Sequence, residues 1–446
     1  MRIPEQVSFL LSRLHAAGYA AYAVGGCVRD TLLGRTPNDW DLCTSALPEE
    51  MRSAFRGLHL IETGLKHGTL TVMLDHQPYE VTTFRIDGEY TDHRHPDSVS
   101  FVNRVDEDLA RRDFTVNAMA YSPEEGIIDL FGGQKDLEGR IIRCVGNPYA
   151  RFEEDALRIL RALRFASVYG FEIEPETAAA VRELYPTLSR VAPERIRVEL
   201  SRLICGMAAG SILRAYPEVF AHLIPALKPM IGYDQHNHHH KYDLWEHTIR
   251  AMENIRPTET LRFTMLLHDT GKPEVALPGA DGETHFKNHQ ARSAELAEEA
   301  LNALRFDNAT RERILTLVRW HDIPLIPDSD GPESLRRLFL RRLNHFGEEI
   351  FRELLEIHRA DRLATGISTL EKEDRHLLNR QAFLDSLLTE RPCFSLKDLA
   401  VTGRDITALG FSGPAVGEIL HSLLEAVMNG RVSNERDQLL AFVTKI

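Results

Sequence analysis

A chain of 446 residues is too long for a single hydrophobic core and points to two to four domains. Apolar residues make up 43% and charged residues 27%, ordinary for a globular protein, and the absence of any run of eighteen or more apolar residues excludes a membrane-spanning helix. The formal net charge of −13 argues against indiscriminate binding to nucleic acid while leaving room for a local basic face, and five scattered cysteines without a C-x-x-C pair fit a reduced, cytoplasmic enzyme.

At the N-terminus, Val7, Leu10, Leu11 and Leu14 recur at helical spacing, broken by polar residues, and predict an amphipathic helix rather than a signal peptide. Residues 22–43, YAVGGCVRDTLLGRTPNDWDLC, read as a strand, a two-glycine turn, a helix beginning near Val28, and a second strand carrying Asp39 and Asp41. Strand residues two apart share a face, so these two carboxylates project together while Trp40 points away. Beyond a glycine turn that opens a helix, such a pair suggests a divalent metal beside a phosphate.

Residues 67–86 predict a hairpin whose two runs are separated by Asp75–Pro78, and Glu80 sits inside the second run. An acid within a strand pattern is explained if it faces the Asp39/Asp41 pair; three carboxylates can hold two Mg²⁺ ions about 4 Å apart. The segment DGEYTDHRHP has no apolar period and reads as a loop beside the site. Arg111 and Arg112 follow at the start of a helical run, where guanidinium forks suit triphosphate oxygens.

Residues 151–173 read as one helix with Asp155, Arg158, Arg161 and Arg164 every three residues and Leu157, Ile159, Leu160 and Leu163 inward. A carboxylate accepts from an exocyclic amine and a guanidinium donates to a ring nitrogen, so Asp155 with Arg158 can select the shared edge of cytosine and adenine without a template.

In order, GGCVRDTLLG with DWDL, YEVTTFR, DGEYTDHRHP, RRDFTVNAMAY, DLFGG, EEDALRILRALRFA and PERIRVEL resemble the bacterial class II tRNA nucleotidyltransferases, the CCA-adding enzymes. Related bacterial poly(A) polymerases share most of the front half. The resemblance implies Asp39, Asp41 and Glu80 as catalytic carboxylates, the aspartates binding Mg²⁺. It implies Gly26, Arg29 and Arg112 as triphosphate or sugar contacts. It implies Asp155, Arg158, Arg161 and Arg164 as nucleotide-reading positions supported by Glu154. The chain departs from the family's loop pattern by carrying His95 where arginine is common.

The stretch 147–230 reads as an all-helical neck. Two segments are rich in arginine: 190–214, and a second in which Arg336, Arg337, Arg341 and Arg342 have no acid between them. Residues 231–365 carry His247, His268–Asp269, His289, His321 and Asp361 within or at the edges of helical segments. His–Asp followed by Gly-Lys resembles the HD metal-dependent phosphohydrolases and implies one or two divalent metals, transition metals suiting imidazole better than Mg²⁺. The run His238–His240 reads as incidental. From 366 to 446 the chain reads as a helical tail, where Gly403–Arg404–Asp405 and GFSGPAVGEIL resemble the family's tRNA-binding tail.

The expected fold is therefore α+β: a polymerase-beta-like nucleotidyltransferase head (1–146) with a mixed sheet, then a helical neck, an HD region and a tail. The expected activity is template-independent addition of the tRNA 3′-CCA from CTP and ATP, with no membrane partner. CC-adding, A-adding and poly(A) activities, and an HD phosphohydrolase with an RNA-binding head, are the alternatives.

Overall fold

The computed structural model describes residues 1–65, 68–87, 99–325 and 331–444. Most of the DGEYTDHRHP loop, His95 included, lies outside the described residues. The chain divides into two compact units, Met1–Lys228 with Ala303–Phe306, and Pro229–Asn302 with Asp307–Ile446.

The first unit opens with α1 (Glu5–Ala16), which buries Val7, Leu10, Leu11 and Leu14, the stripe expected from its spacing. Nine strands follow among the described residues of this unit's front half: β1 (Ala21–Val24), β2 (Leu42–Thr44), β3 (His59–Ile61), β4 (Thr69–Leu74), β5 (Gln77–Thr83), β6 (Arg85–Asp87), β7 (Val99–Phe101), β8 (Met119–Ser122) and β9 (Gly126–Asp129). Seven form one sheet in the order β3-β4-β5-β2-β1-β8-β9, with β6 and β7 paired separately. β2 runs parallel to β5, and the other pairs of the large sheet are antiparallel. All four residues of β1 are buried, as an inner strand demands. Tyr22, Val24, Cys43, Phe84, Leu109 and Ala120 form a buried cluster here. The Tyr22 and Phe84 rings stack at 6.1 Å, and each fully buried large side chain contributes about 2 kcal/mol.

Two local expectations are corrected. The β4–β5 turn is shorter than Asp75–Pro78: Asp75 and His76 take φ of 51° and 62°, a two-residue turn matched to strand twist, and Pro78 already pairs opposite Met73. β2 begins at Leu42, so Asp39 and Asp41 precede the strand rather than lying in it. Their like charges disfavour a further paired strand, although Val24 N–H donates to Asp41 O at 2.9 Å and carries the ladder that far.

The α2 helix (Gly26–Leu32) starts directly at the glycine turn. Further on, the single helix expected over 151–173 is two helices, α3 (Pro148–Glu154) and α4 (Leu157–Tyr169), broken at Asp155 (φ −139°, ψ 103°). The Asp155 carboxylate accepts from Leu157 N–H at 3.0 Å, a local bond that competes with helix continuation. α4 stops at Gly170, whose φ of 67° suits glycine. α5 (Pro193–Ile204) packs along α4.

The second unit is mainly helical. α6 (Leu244–Glu253), α7 (Glu259–Leu267), α8 (His289–Ala303), α9 (Asn308–Trp320) and the long α10 (Pro332–Ala364) carry the histidine-rich segments. α10 is kinked at Gly347, where φ is 74° and ψ 170°. α11 (Pro414–Met428) lies towards the C-terminus. No helix among the described residues is long and apolar enough to cross a membrane.

Candidate functional site

In the head, Leu42 of β2 pairs in parallel with Val81 of β5, so one step back Asp41 falls beside Glu80. Val81 is buried and Glu80 exposed, which places the carboxylates on the face opposite the apolar side of β5. Asp39, Asp41 and Glu80 each keep an edge open to solvent. The Asp41 carboxyl is nevertheless pushed up to about 6, first by the protein packed around it and then by Asp39 and Glu80, with Arg112 pulling the other way. The trio is thus electrostatically coupled, although it does not close as a group to within 4.8 Å; among the described residues such close groups lie only in the second unit.

Arg112 is held by Asp108 at 3.2 Å, and its Nη1 lies 2.9 Å from where a Cβ on Gly25 would stand. Gly25 has φ of 78°, so the turn needs glycine for both conformation and space. Gly26 lies at the same turn, 3.5 Å (at its would-be Cβ) from Arg29 Nη2. Arg29 is buried, donates to Asp30 at 2.9 Å and to Asn117, and stacks over Phe165 and Tyr169 at 5.0 and 4.8 Å. It therefore fixes the turn to α4 rather than standing open to a ligand.

At the α3–α4 junction the arginines are restrained individually. Arg158 donates to Glu154 at 2.6 Å and to the carbonyls of Arg151 and Arg111, both at 3.2 Å. Asp155 is bonded to Arg195 at 2.8 Å rather than to Arg158. Arg161 grips Asp113 through two hydrogen bonds of 2.8 and 2.6 Å, and Arg164 pairs with Glu199. Burial would raise the Asp113 carboxyl, but Arg161 and Asn117 outweigh it and hold it well below the usual range. Sequence reasoning gave no role to Asp113, Arg195, Glu199 or Asn117, although RRDFTVNAMAY and PERIRVEL contain them. Their partners are distant in sequence.

In the second unit, six predicted residues converge. His247 Nε2 stands 3.0 Å from Asp361 and 3.3 Å from Asp269. His268 Nε2 is 3.1 Å from Asp269 and 3.3 Å from His247 Nε2. His289 and His321 approach the other oxygen of Asp269, at 3.2 and 3.7 Å. The Nδ1 atoms of His268, His289 and His321 lie 2.7, 2.9 and 2.7 Å from backbone carbonyls. Those bonds fix Nδ1 as the donor and leave Nε2 turned inward towards Asp269. Asp269, almost wholly buried, joins the two groups, His247–His268–Asp269–Asp361 and Asp269–His289–His321. Lys272 Nζ also reaches Asp269, at 2.7 Å. A cavity of about 380 Å³ opens beside them and is lined also by His239, His240 and Arg362. Part of the run read as incidental thus belongs to this site: the His240 ring is 5.1 Å from that of His247.

Residues 21–143 match the Poly A polymerase head domain, residues 170–231 the RNA and SrmB- binding site of polymerase A, and residues 289–443 tRNA nucleotidyltransferase domain 2. The CCA-adding enzyme of Enterococcus faecalis is 31% identical, the alignment covering 99% of this chain and 96% of that protein. The CCA-adding enzyme of Levilactobacillus brevis is 34% identical over 99% and 98%. The chain belongs to the CCA-adding enzyme family. The structure of the Bacillus stearothermophilus CCA-adding enzyme in complex with CTP is 31% identical, with a TM-score of 0.73 over 100% of this chain and 98% of that one. A Thermotoga maritima CCA-adding enzyme complexed with tRNA, 21% identical, shares the fold at a TM-score of 0.59 over 100% and 96%. Within this CCA-adding family member, His247, His268 and Asp269 lie between the matched stretches, whereas His289, His321 and Asp361 lie within the last.

Proposed function

We propose that the head adds the 3′-terminal CCA of tRNA from CTP and ATP without a template. Asp41 beside Glu80, with Asp39 two residues upstream, is the observation that supports this reading, because like charges are gathered on an open face where Asp39 and Glu80 add to the proton affinity of Asp41. An all-oxygen donor set of this kind fits Mg²⁺. Mg²⁺ held by Asp39 and Asp41, with Glu80 as third carboxylate, would lower the pKa of the attacking hydroxyl and neutralise triphosphate charge. The tRNA 3′-oxygen bonds to the α-phosphorus of the nucleotide as the bond to pyrophosphate breaks.

In this reading Arg112 and the Gly25–Gly26 turn hold the triphosphate and sugar, while Arg29 positions the turn. Asp155 and Arg158 read the base edge, with Glu154 orienting Arg158 and with Arg161 and Arg164 fixing α4. Arg404 is the exposed member of the Gly403–Arg404–Asp405 segment and is the side chain there for tRNA phosphate; Asp405 is turned to Thr402 and Arg436. The five cysteines are free, consistent with a cytoplasmic setting. The test is incorporation of each labelled nucleotide into tRNA lacking one, two or three terminal residues. Addition that stops at CC, adds only A, or runs into a homopolymer would select the corresponding alternative.

The second unit supports an additional activity, metal-dependent phosphohydrolysis. Inward-facing Nε2 atoms pinned through Nδ1, around a buried Asp269, suit a divalent transition metal. His247, His268, Asp269 and Asp361 would hold one ion and Asp269, His289 and His321 a second, supplying an activated water for phosphoester hydrolysis. Phosphate release from a generic phosphoester by metal-loaded protein, lost in His268→Ala, tests this part separately from nucleotide addition.

A further inference from the structure

The arginine run in α10 divides in two. Arg336 is paired with Glu390 at 2.6 Å, and Arg337 donates to Ser334 Oγ at 3.1 Å. Arg341 and Arg342 instead line a cavity of about 380 Å³ formed with Trp320 at the end of α9 and with His421, Leu424, Glu425, Met428 and Asn429 on and after α11.

Among the described residues, neither Arg341 nor Arg342 has a carboxylate within ion-pair distance. Arg341 Nη2 donates to Asn429 Oδ1 at 2.9 Å and Arg342 Nη2 to Pro324 O at 3.1 Å. The Nε of Arg342 is buried without an acceptor. Elsewhere in α10, Arg352 and Arg359 each hold an acid. Glu425 lines the same cavity but pairs with neither guanidinium among the described residues, and the buried Nε of Arg342 is the polar group there that an incoming anion would complete. Burial and the neighbouring Arg341 both disfavour the charged form of Arg342, which an incoming anion would offset. His345 and Asn344 add donors on the same wall, Trp320 an aromatic surface, and Leu424 and Met428 an apolar floor. The volume suits a ligand of mononucleotide size.

The geometry points to a nucleotide-phosphate site at this cavity, with Arg341 and Arg342 as the phosphate clamp and Trp320 beside the base. The phosphate can belong to a free nucleoside monophosphate or to a nucleotide unit of an RNA chain; the site is separate from the head carboxylates and does not rest on the head's activity.

The test soaks crystals of the full chain with cytidine 5′-monophosphate and follows binding of that nucleotide, and of tRNA, to the wild type and to R341A/R342A. A free-nucleotide site gives density in the cavity and one binding event lost in the double variant, with tRNA affinity unchanged. An RNA site gives the same density in the cavity together with about tenfold weaker tRNA binding in the double variant and a salt dependence shallower by about two contacts. Both results support the assignment. Should the double variant misfold, R341E at the exposed arginine carries the same comparison, and nucleotide incorporation at saturating tRNA reports an intact head. An empty cavity after soaking, with nucleotide affinity the same in wild type and double variant, would overturn it whatever happens to tRNA affinity.

Discussion

Asp113 accepts both the Nε–H and an Nη–H of Arg161 on one carboxylate oxygen, at 2.8 and 2.6 Å, and so ties the segment before β8 to the middle of α4. The two residues are 48 positions apart, and nothing local in either stretch announces the pair.

Replacing Asp113 by Asn removes the closer ion pair and leaves Arg161 its longer one to Glu199, at 3.6 Å, and its place over the Phe165 ring. The expected loss is about 2–3 kcal/mol at pH 7. Because the folded-state pKa of Asp113 is depressed, its contribution is present above the unfolded value near 4 and fades as pH falls towards the folded one. Urea unfolding of wild type and Asp113→Asn at pH 7 and pH 3 should show the gap narrowing in acid; equal stabilities at pH 7 would contradict the pairing.

Asp41 has the opposite sign. Its folded-state value of about 6 lies above the unfolded one, so the metal-free protein loses stability as pH rises through about 6. Asp41→Asn should remove that decline, giving a higher Tm than wild type at pH 7.5 in chelator, while abolishing nucleotide incorporation. A lower Tm for the variant under those conditions would show that the carboxylates do not repel.

Gly25→Ala introduces a methyl 2.9 Å from Arg112 Nη1 at a φ of 78°. The expected cost is about 1–3 kcal/mol, with weaker nucleotide binding as Arg112 is displaced. A variant of wild-type stability and KM for CTP would mean that the turn and Arg112 are not coupled.

In the second unit, burial disfavours charge on His268, yet Asp269 and Asp361 outweigh it and raise the imidazole to about 10. A divalent ion binding through Nε2 must displace that proton. Titrating Mn²⁺ into chelator-treated protein in weak buffer at pH 8 should release about one proton per site through His268. Manganese binding without proton release would contradict this assignment of the ligand atom.

The sequence was most legible where periodicity or a dense cluster of chemical groups carried the signal. The α1 stripe follows from helical spacing, and Glu80 stands out as an acid inside the apolar pattern of β5 without reference to its neighbour across the ladder. The six residues that converge in the second unit were recognisable because His–Asp adjacency and histidines at helix edges are uncommon together. The break at Asp155 was not legible: no Gly or Pro marks it, and it depends on a side chain capping Leu157 N–H. Arg195 and Glu199 were seen only as part of a basic helix, since their pairing with Asp155 and Arg164 requires α5 to lie along α4. His239 and His240 looked like a chance run because a cavity wall has no sequence period.

The central claim is tested most directly by supplying tRNA that lacks its three terminal residues with labelled CTP and ATP and Mg²⁺, using wild type and Asp41→Asn. The account predicts addition of two C residues and one A by the wild type, stopping there, with none in chelator and none by the variant. Incorporation that survives Asp41→Asn unchanged would contradict it.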